Sequence, residues 1–123
     1  YNVSRYDDIA ELYIVSDICI TDYSSVFFDY ANLLRPILFY VYDFDKYKDT
    51  LRGFYISMEN EMPGPLLYTE DEVIEAVKYI DNIVEEYSDR YTAFCKRFCN
   101  VSDGNASKRV VEQVFDGSKG EEK

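Results

Sequence analysis

Apolar and polar positions follow two different periods along this chain. Ile18-Cys19-Ile20 is a short unbroken apolar run, and Ile37-Leu38-Phe39-Tyr40-Val41 is a second. Short runs without polar alternation suit parallel strands covered on both faces. Between them, Val26 to Leu34 is an apolar segment of helical length, halted by Arg35-Pro36, because the residue before proline is pushed out of helical space. The pattern predicts a strand over 18–21, a helix over 24–34 and a strand over 37–41. A short helix capped by Asp7 or Asp8 precedes them and ends near Val15. After the second strand it predicts a short helix over 44–51 with Asp43 as cap. A turn at Arg52-Gly53-Phe54-Tyr55 and a loop carrying Met62-Pro63-Gly64-Pro65 then lead to a short strand over 66–68.

From Thr69 to Phe115 the pattern is helical. Thr69 with Glu72 three residues on forms a capping box, in which each side chain satisfies the other's free backbone N–H. A helix over 70–80 follows. Val73, Val77, Ile80, Val84, Tyr87, Tyr91, Phe94 and Phe98 recur at spacings of four and three. That stripe fits a coiled coil or two helices packed on a sheet. Asp81-Asn82 is expected to break it, with a second helix over 83–98. Asp103-Gly104 reads as a turn, Asn105 as a cap and Ala106 to Phe115 as a last helix. Strand, helix, strand, helix in this order gives an α/β domain with a parallel sheet and flanking helices. Residues 1–115 are expected to form it, as part of a longer protein, and 116–123 to be a charged flexible tail.

Composition narrows the function classes. Acidic residues outnumber basic ones 24 to 13, for a net charge of −11. Nucleic-acid binding relies on Lys and Arg neutralising phosphates, so no nucleic-acid partner is expected. The same charge keeps this segment itself off an anionic membrane. No apolar run reaches the roughly 20 residues that cross a bilayer. Cys19, Cys95 and Cys99 include no C-x-x-C pair, and the chain has no histidine. Buried thiols of a reducing cytoplasm are expected, with no metal site. Asp43, Asp45 and Asp49, interleaved with Lys46 and Lys48, read as a solvated face. The Asn-x-Ser sequons at Asn2, Asn100 and Asn105 carry no meaning in a cytoplasmic protein.

The chemistry concentrates where the first strand ends. Thr21-Asp22-Tyr23-Ser24-Ser25 runs from that strand into the next helix, so Ser24 and Ser25 fall at its first turn. Free backbone N–H groups and the positive helix end favour an anion there. Ligands of open α/β sheets collect at the carboxyl ends of the strands. The turn is therefore a candidate phosphate site.

These residues also carry a resemblance. The run from Ser16 through Ala31 containing Asp22-Tyr23-Ser24-Ser25, and then Arg35-Pro36-Ile37-Leu38-Phe39-Tyr40, resembles the carboxy-terminal part of the CDP-glycerol glycerophosphotransferases. These are the teichoic acid primases and polymerases. The likeness continues through Tyr42-Asp43, Leu51-Arg52-Gly53-Phe54-Tyr55, Pro63-Gly64-Pro65 and Asp103-Gly104-Asn105-Ala106-Ser107. It covers nearly the whole chain up to Phe115. It implies a Rossmann-like carboxy-terminal half of a glycosyltransferase-B-type fold that binds the nucleotide donor CDP-glycerol. Glycerol phosphate would pass to a lipid-linked polyol phosphate acceptor, releasing CMP. The family's catalytic histidines would lie upstream, so these residues alone should not catalyse. No further cofactor is implied. The resemblance places the enzyme in the cytoplasm at the inner membrane face, attached peripherally through the other half.

Residue by residue, the resemblance implies that Ser24 and Ser25 hold the donor pyrophosphate, although either serine could instead simply cap the helix. Arg52 is a phosphate clamp or a structural ion pair. Asp29, one turn past Ser25, accepts from the ribose hydroxyls or is an ordinary exposed acid. Thr21, Asp22, Tyr23 and Gly53 support the cleft and its turns. Asp22 is expected to bond backbone N–H groups of the turn rather than the pyrophosphate, which it would repel. Tyr23 is expected chiefly to pack. Rival readings are a CDP-ribitol transferase, a nucleotide-sugar enzyme of the same fold, or a non-catalytic α/β interaction domain.

Overall fold

The computed structural model describes residues 1–44, 57, 60–100 and 103–116. Helix α1 spans Ile9–Val15, strand β1 Cys19–Thr21, helix α2 Val26–Ala31 and strand β2 Ile37–Tyr40. Strand β3 spans Leu66–Leu67, and helices α3, α4 and α5 span Glu70–Lys78, Ile80–Phe98 and Ala106–Asp116. The three strands lie parallel in the order β1-β2-β3. Cys19 pairs with Ile37 and Phe39 with Leu66. The expected helix over 44–51 beyond its first residue, the Arg52-Gly53 turn and residues 117–123 lie outside the described residues.

Strand β2 divides the core. Ile37, Phe39 and Val41 point to one face, where they meet Phe27, Tyr30, Ala31, Met62 and Phe94. Leu38 points to the other, against Leu67 and Ala76. Both sets are buried, so the unbroken apolar run is what a strand covered on both faces requires. Helix α2 seats Phe27, Tyr30 and Ala31 on the first face, a spacing of three and four that forms one stripe. The Phe27 ring meets Phe39 edge-on at 5.2 Å. Burying an aromatic side chain of this kind contributes about 2–3 kcal/mol, so α2 is held by packing rather than by its own helix-forming tendency.

Helix boundaries differ from the pattern at three places, the first being the start of α2 at Val26 rather than at residue 24. Helix α2 stops at Ala31, short of Leu34. Asn32, Leu33 and Leu34 each bond three residues back instead, and Leu34 sits at φ 56°. The chain must reverse ahead of Arg35-Pro36, and a tightened turn with one left-handed residue does it. The break between α3 and α4 falls at Tyr79, with φ −112° and ψ 36°, not at Asp81-Asn82. Asp81 lies in the first turn of α4, where its charge is favoured by the helix dipole. Asp8 is the cap of α1, accepting from the Ala10 N–H at 2.9 Å. The capping box at Thr69 and Glu72 is present as expected.

Pro63-Gly64-Pro65, expected as part of a loop, is buried against β2. A Cβ at Gly64 would fall 1.8 Å from the Ile37 carbonyl oxygen. Extending the Phe39–Leu66 register back two residues places Gly64 opposite Ile37. The next donor for the Ile37 carbonyl would then be residue 65, a proline without an N–H, and β3 accordingly begins at Leu66.

Candidate functional site

All three strands point their carboxyl ends to one edge of the sheet, and the Asp22–Ser25 turn lies there. Asp22 Oδ1 accepts from the Ser24 N–H at 2.9 Å, an Asx turn that swings the chain from β1 into α2. Ser25 occupies the capping position of α2, yet its side chain makes no capping bond. The simple cap expected of a serine here is therefore absent, and the Ser25 hydroxyl stays available at an exposed helix start. Ser24 is exposed beside it, while Thr21 is half-buried at the end of β1.

Tyr23 does more than pack. Its hydroxyl donates to Asp43 Oδ1 at 3.1 Å, tying the turn after β1 to the segment after β2. Burial pushes the Tyr23 phenol well above its usual range, and the Asp43 carboxylate adds to the effect. The phenol therefore stays protonated near neutral pH and keeps its role as donor. Asp29 is exposed on α2. The buried stripe of Phe27, Tyr30 and Ala31 turns it outward, and its charge helps to raise the Tyr13 phenol after burial itself.

The structure thus brings Thr21, Asp22, Tyr23, Ser24 and Ser25 together in one turn and places Asp29 one helical turn on. Arg52 and Gly53 lie outside the described residues. Asp22, Asp29 and Asp43 make the described part of the site electronegative. Among the described residues no group of His, Cys, Asp or Glu side chains could hold a metal ion. The three cysteines are free thiols and half-buried rather than fully buried.

Two residues escaped the sequence reading. The pattern reads Asp43 as a helix cap and part of a solvated acidic face, whereas it is half-buried and accepts from Tyr23; nothing in the sequence pairs it with that residue, 20 positions away. Arg35 appeared only as a helix stop. Its guanidinium donates to the carbonyls of Ile14 at 2.7 Å, Tyr13 at 3.3 Å and Ser16. It thereby satisfies the open carboxyl end of α1. The Tyr91 hydroxyl donates to the Arg35 carbonyl at 2.8 Å from the far helix α4. Such contacts join distant segments and leave no local signature.

Comparison with known proteins places this turn in a wider setting. The profile of the family "CDP-Glycerol:Poly(glycerophosphate) glycerophosphotransferase" matches residues 1–116. A teichoic acid glycerol-phosphate transferase of Staphylococcus aureus is 47% identical over 114 residues, covering 93% of this chain and 29% of that protein. A teichoic acid poly(glycerol phosphate) polymerase of Bacillus subtilis is 51% identical over 115 residues, covering 94% of this chain and 15% of that protein. Among solved structures, a variant of the wall teichoic acid polymerase TagF soaked with CDPG superposes with a TM-score of 0.83 at 40% identity. The overlap covers 97% of this chain and 30% of TagF, so the α/β architecture is that of part of a glycosyltransferase-B-type enzyme. The chain spans less than a third of the length of these relatives. With its profile matched from end to end of the described sheet and helices, the chain belongs to the CDP-glycerol:poly(glycerophosphate) glycerophosphotransferase family.

Proposed function

We propose that this chain is the donor-binding portion of an enzyme that transfers glycerol phosphate from CDP-glycerol to a lipid-linked teichoic acid acceptor, releasing CMP. The observation that carries the reading is the turn itself. Asp22 shapes a serine pair at a helix start on the carboxyl edge of a parallel sheet, and leaves the Ser25 hydroxyl unbonded. Backbone N–H groups and hydroxyls there suit a diphosphate. The described carboxylates do not, so the reading gives Arg52 the cationic share of the work. Asp29 takes the ribose hydroxyls.

In the reaction, the acceptor hydroxyl attacks the β-phosphate and CMP departs. Transfer of this kind needs the developing charge stabilised and the two oxygens aligned. The chain supplies the first of these. It has no histidine, and since the resemblance implies catalytic histidines, the reading assigns proton transfer to groups outside these residues. With a net charge of −11, this portion faces the cytoplasm, and peripheral contact with the membrane's inner face falls to other parts of the enzyme. Among the described residues no helix is long and apolar enough to cross a membrane.

The test is donor binding by the protein at its full encoded length. CDP-glycerol, CDP-ribitol and a UDP-sugar are titrated against the parent protein and against Ser24→Ala, Ser25→Ala and Arg52→Ala. The reading expects CDP-glycerol to bind best. Each substitution should weaken it by about tenfold, as loss of a charge-assisted hydrogen bond does. Unchanged affinity in all three variants sinks it, and preference for CDP-ribitol reassigns the donor.

A further inference from the structure

Beside the Asp22 turn the carboxyl edge of the sheet carries a hollow of about 390 Å3, lined by Ile20, Thr21, Asp22, Tyr40 and Tyr42. Neither the pyrophosphate nor the ribose role accounts for it. Ile20 and Tyr40 come from the adjacent strands β1 and β2 and, by alternation, share one face of the sheet. The Tyr40 and Tyr42 rings lie 5.3 Å apart, tilted by 44°. Asp22 spends Oδ1 on the Ser24 N–H, which leaves Oδ2 as an acceptor. The Thr21 hydroxyl bonds to none of the described residues.

The chemistry of this lining is selective. Among the described residues no Lys or Arg lines the hollow and one carboxylate does, so these residues disfavour a phosphate. The tilted rings form no parallel slot for a flat base to enter between them. A carboxylate oxygen, a free hydroxyl and aromatic walls instead suit a neutral group rich in hydroxyls, which donate to Asp22 and Thr21. The hollow also begins where the serine turn ends, since Asp22 belongs to both. We propose that it receives the polyol end of the donor, with Asp22 Oδ2 and the Thr21 hydroxyl as its hydrogen-bond partners and Tyr42 as a wall. The inference rests on the donor-binding reading and adds to it the place where the transferred group is recognised.

The experiment compares two ligands that differ only in the polyol. CDP-glycerol and CDP are titrated against the protein at its full encoded length, and against Asp22→Asn and Tyr42→Ala. Asparagine keeps the acceptor that holds the Ser24 turn and replaces the second carboxylate oxygen. Tyr42 is exposed, so its truncation spares the core. Each variant should weaken CDP-glycerol relative to CDP by about tenfold. Equal weakening of both ligands overturns the inference, because the hollow then holds the nucleotide. Unchanged affinity for both overturns it as well. If the unsubstituted protein binds neither ligand, the donor reading fails and this inference with it. If it binds both, and Ser24→Ala weakens both while Asp22→Asn and Tyr42→Ala weaken neither, the polyol assignment alone fails.

Discussion

Replacing Gly64 by alanine tests whether Pro63-Gly64-Pro65 is a packing element of β2. The added Cβ would sit 1.8 Å from the Ile37 carbonyl oxygen, 3.0 Å from its carbon and 3.5 Å from the Phe39 ring. Ordinary contact begins near 3.4 Å, so backbone must separate by about 1.6 Å. Both sides are buried, and neither partner is the free end of a side chain. Overpacking of a core by one carbon costs about 1–3 kcal/mol, and a clash between two backbones belongs at or above the upper end. The expected loss is therefore about 3 kcal/mol. In a chain of 123 residues that corresponds to a fall of roughly 10 °C in Tm.

Gly104 supplies the internal control. It has φ +76° with no atom within 4 Å of a built Cβ, so alanine there meets only the left-handed strain of about 1 kcal/mol. Urea and thermal unfolding, followed by far-ultraviolet circular dichroism, measure both variants. Gly64→Ala should lose about three times the free energy of Gly104→Ala with an unchanged m-value. A Gly64→Ala protein as stable as Gly104→Ala refutes the close approach, and with it the explanation of where β3 begins.

Other outcomes follow from single contacts. Tyr23→Phe and Asp43→Asn, combined in a double-mutant cycle on urea unfolding, should show coupling of about 0.5–1.5 kcal/mol; additivity within about 0.3 kcal/mol denies the bond across the two strand ends. The Arg109 fork on Asp103, together with the Asn105 N–H, holds that carboxyl down at about 2. Its contribution is present above the ordinary carboxylate value of 3.8 and is lost as pH falls from there toward 2. Carboxyl-carbon NMR should show a midpoint near 2, and Arg109→Gln should return it toward 3.8. Burial, with the Cys99 thiol beside it, raises Cys95 to about 11. At pH 8 its alkylation by iodoacetamide, read by peptide mass spectrometry, should run at least about tenfold slower than that of an unperturbed thiol; an equal rate contradicts the environment described.

The elements that pack against one another were the legible ones. Both apolar runs formed parallel strands, but only β2 is buried on both faces as its pattern implied; in β1 Ile20 is exposed. Thr69 and Glu72 were readable because a capping box is local. The end of α2 was not, since its last turn yields to the reversal before Pro36, and propensity says nothing about Leu34 adopting φ 56°. The α3–α4 break slid to Tyr79 because Asp81 gains more at a helix start than it loses as a helix breaker. In the site, the serine turn was visible from its position after a strand. The Tyr23–Asp43 bond and the Arg35 clamp were not, because tertiary structure alone brings their partners together.

Those hidden contacts explain how a short α2 holds the proposed site in place. A helix of six residues is too short to hold its own shape, and Ser25 adds no side-chain cap. Its position comes from three outside supports. Phe27, Tyr30 and Ala31 pin it to β2. The Tyr30 hydroxyl and Ser16 bond to each other at 3.2 Å, and Arg35 grips the same Ser16 carbonyl. That ties the helix to the segment entering β1. Beyond the strands, Tyr23 reaches Asp43. The hydroxyls and N–H groups of the turn are thus fixed from below and from both flanks before any ligand arrives, and their ordering need not be supplied by binding energy. On the proposed donor-binding role, an uncapped serine held by its neighbours can give its hydroxyl to a phosphate, whereas a serine that had to cap its own helix would lose that cap on binding.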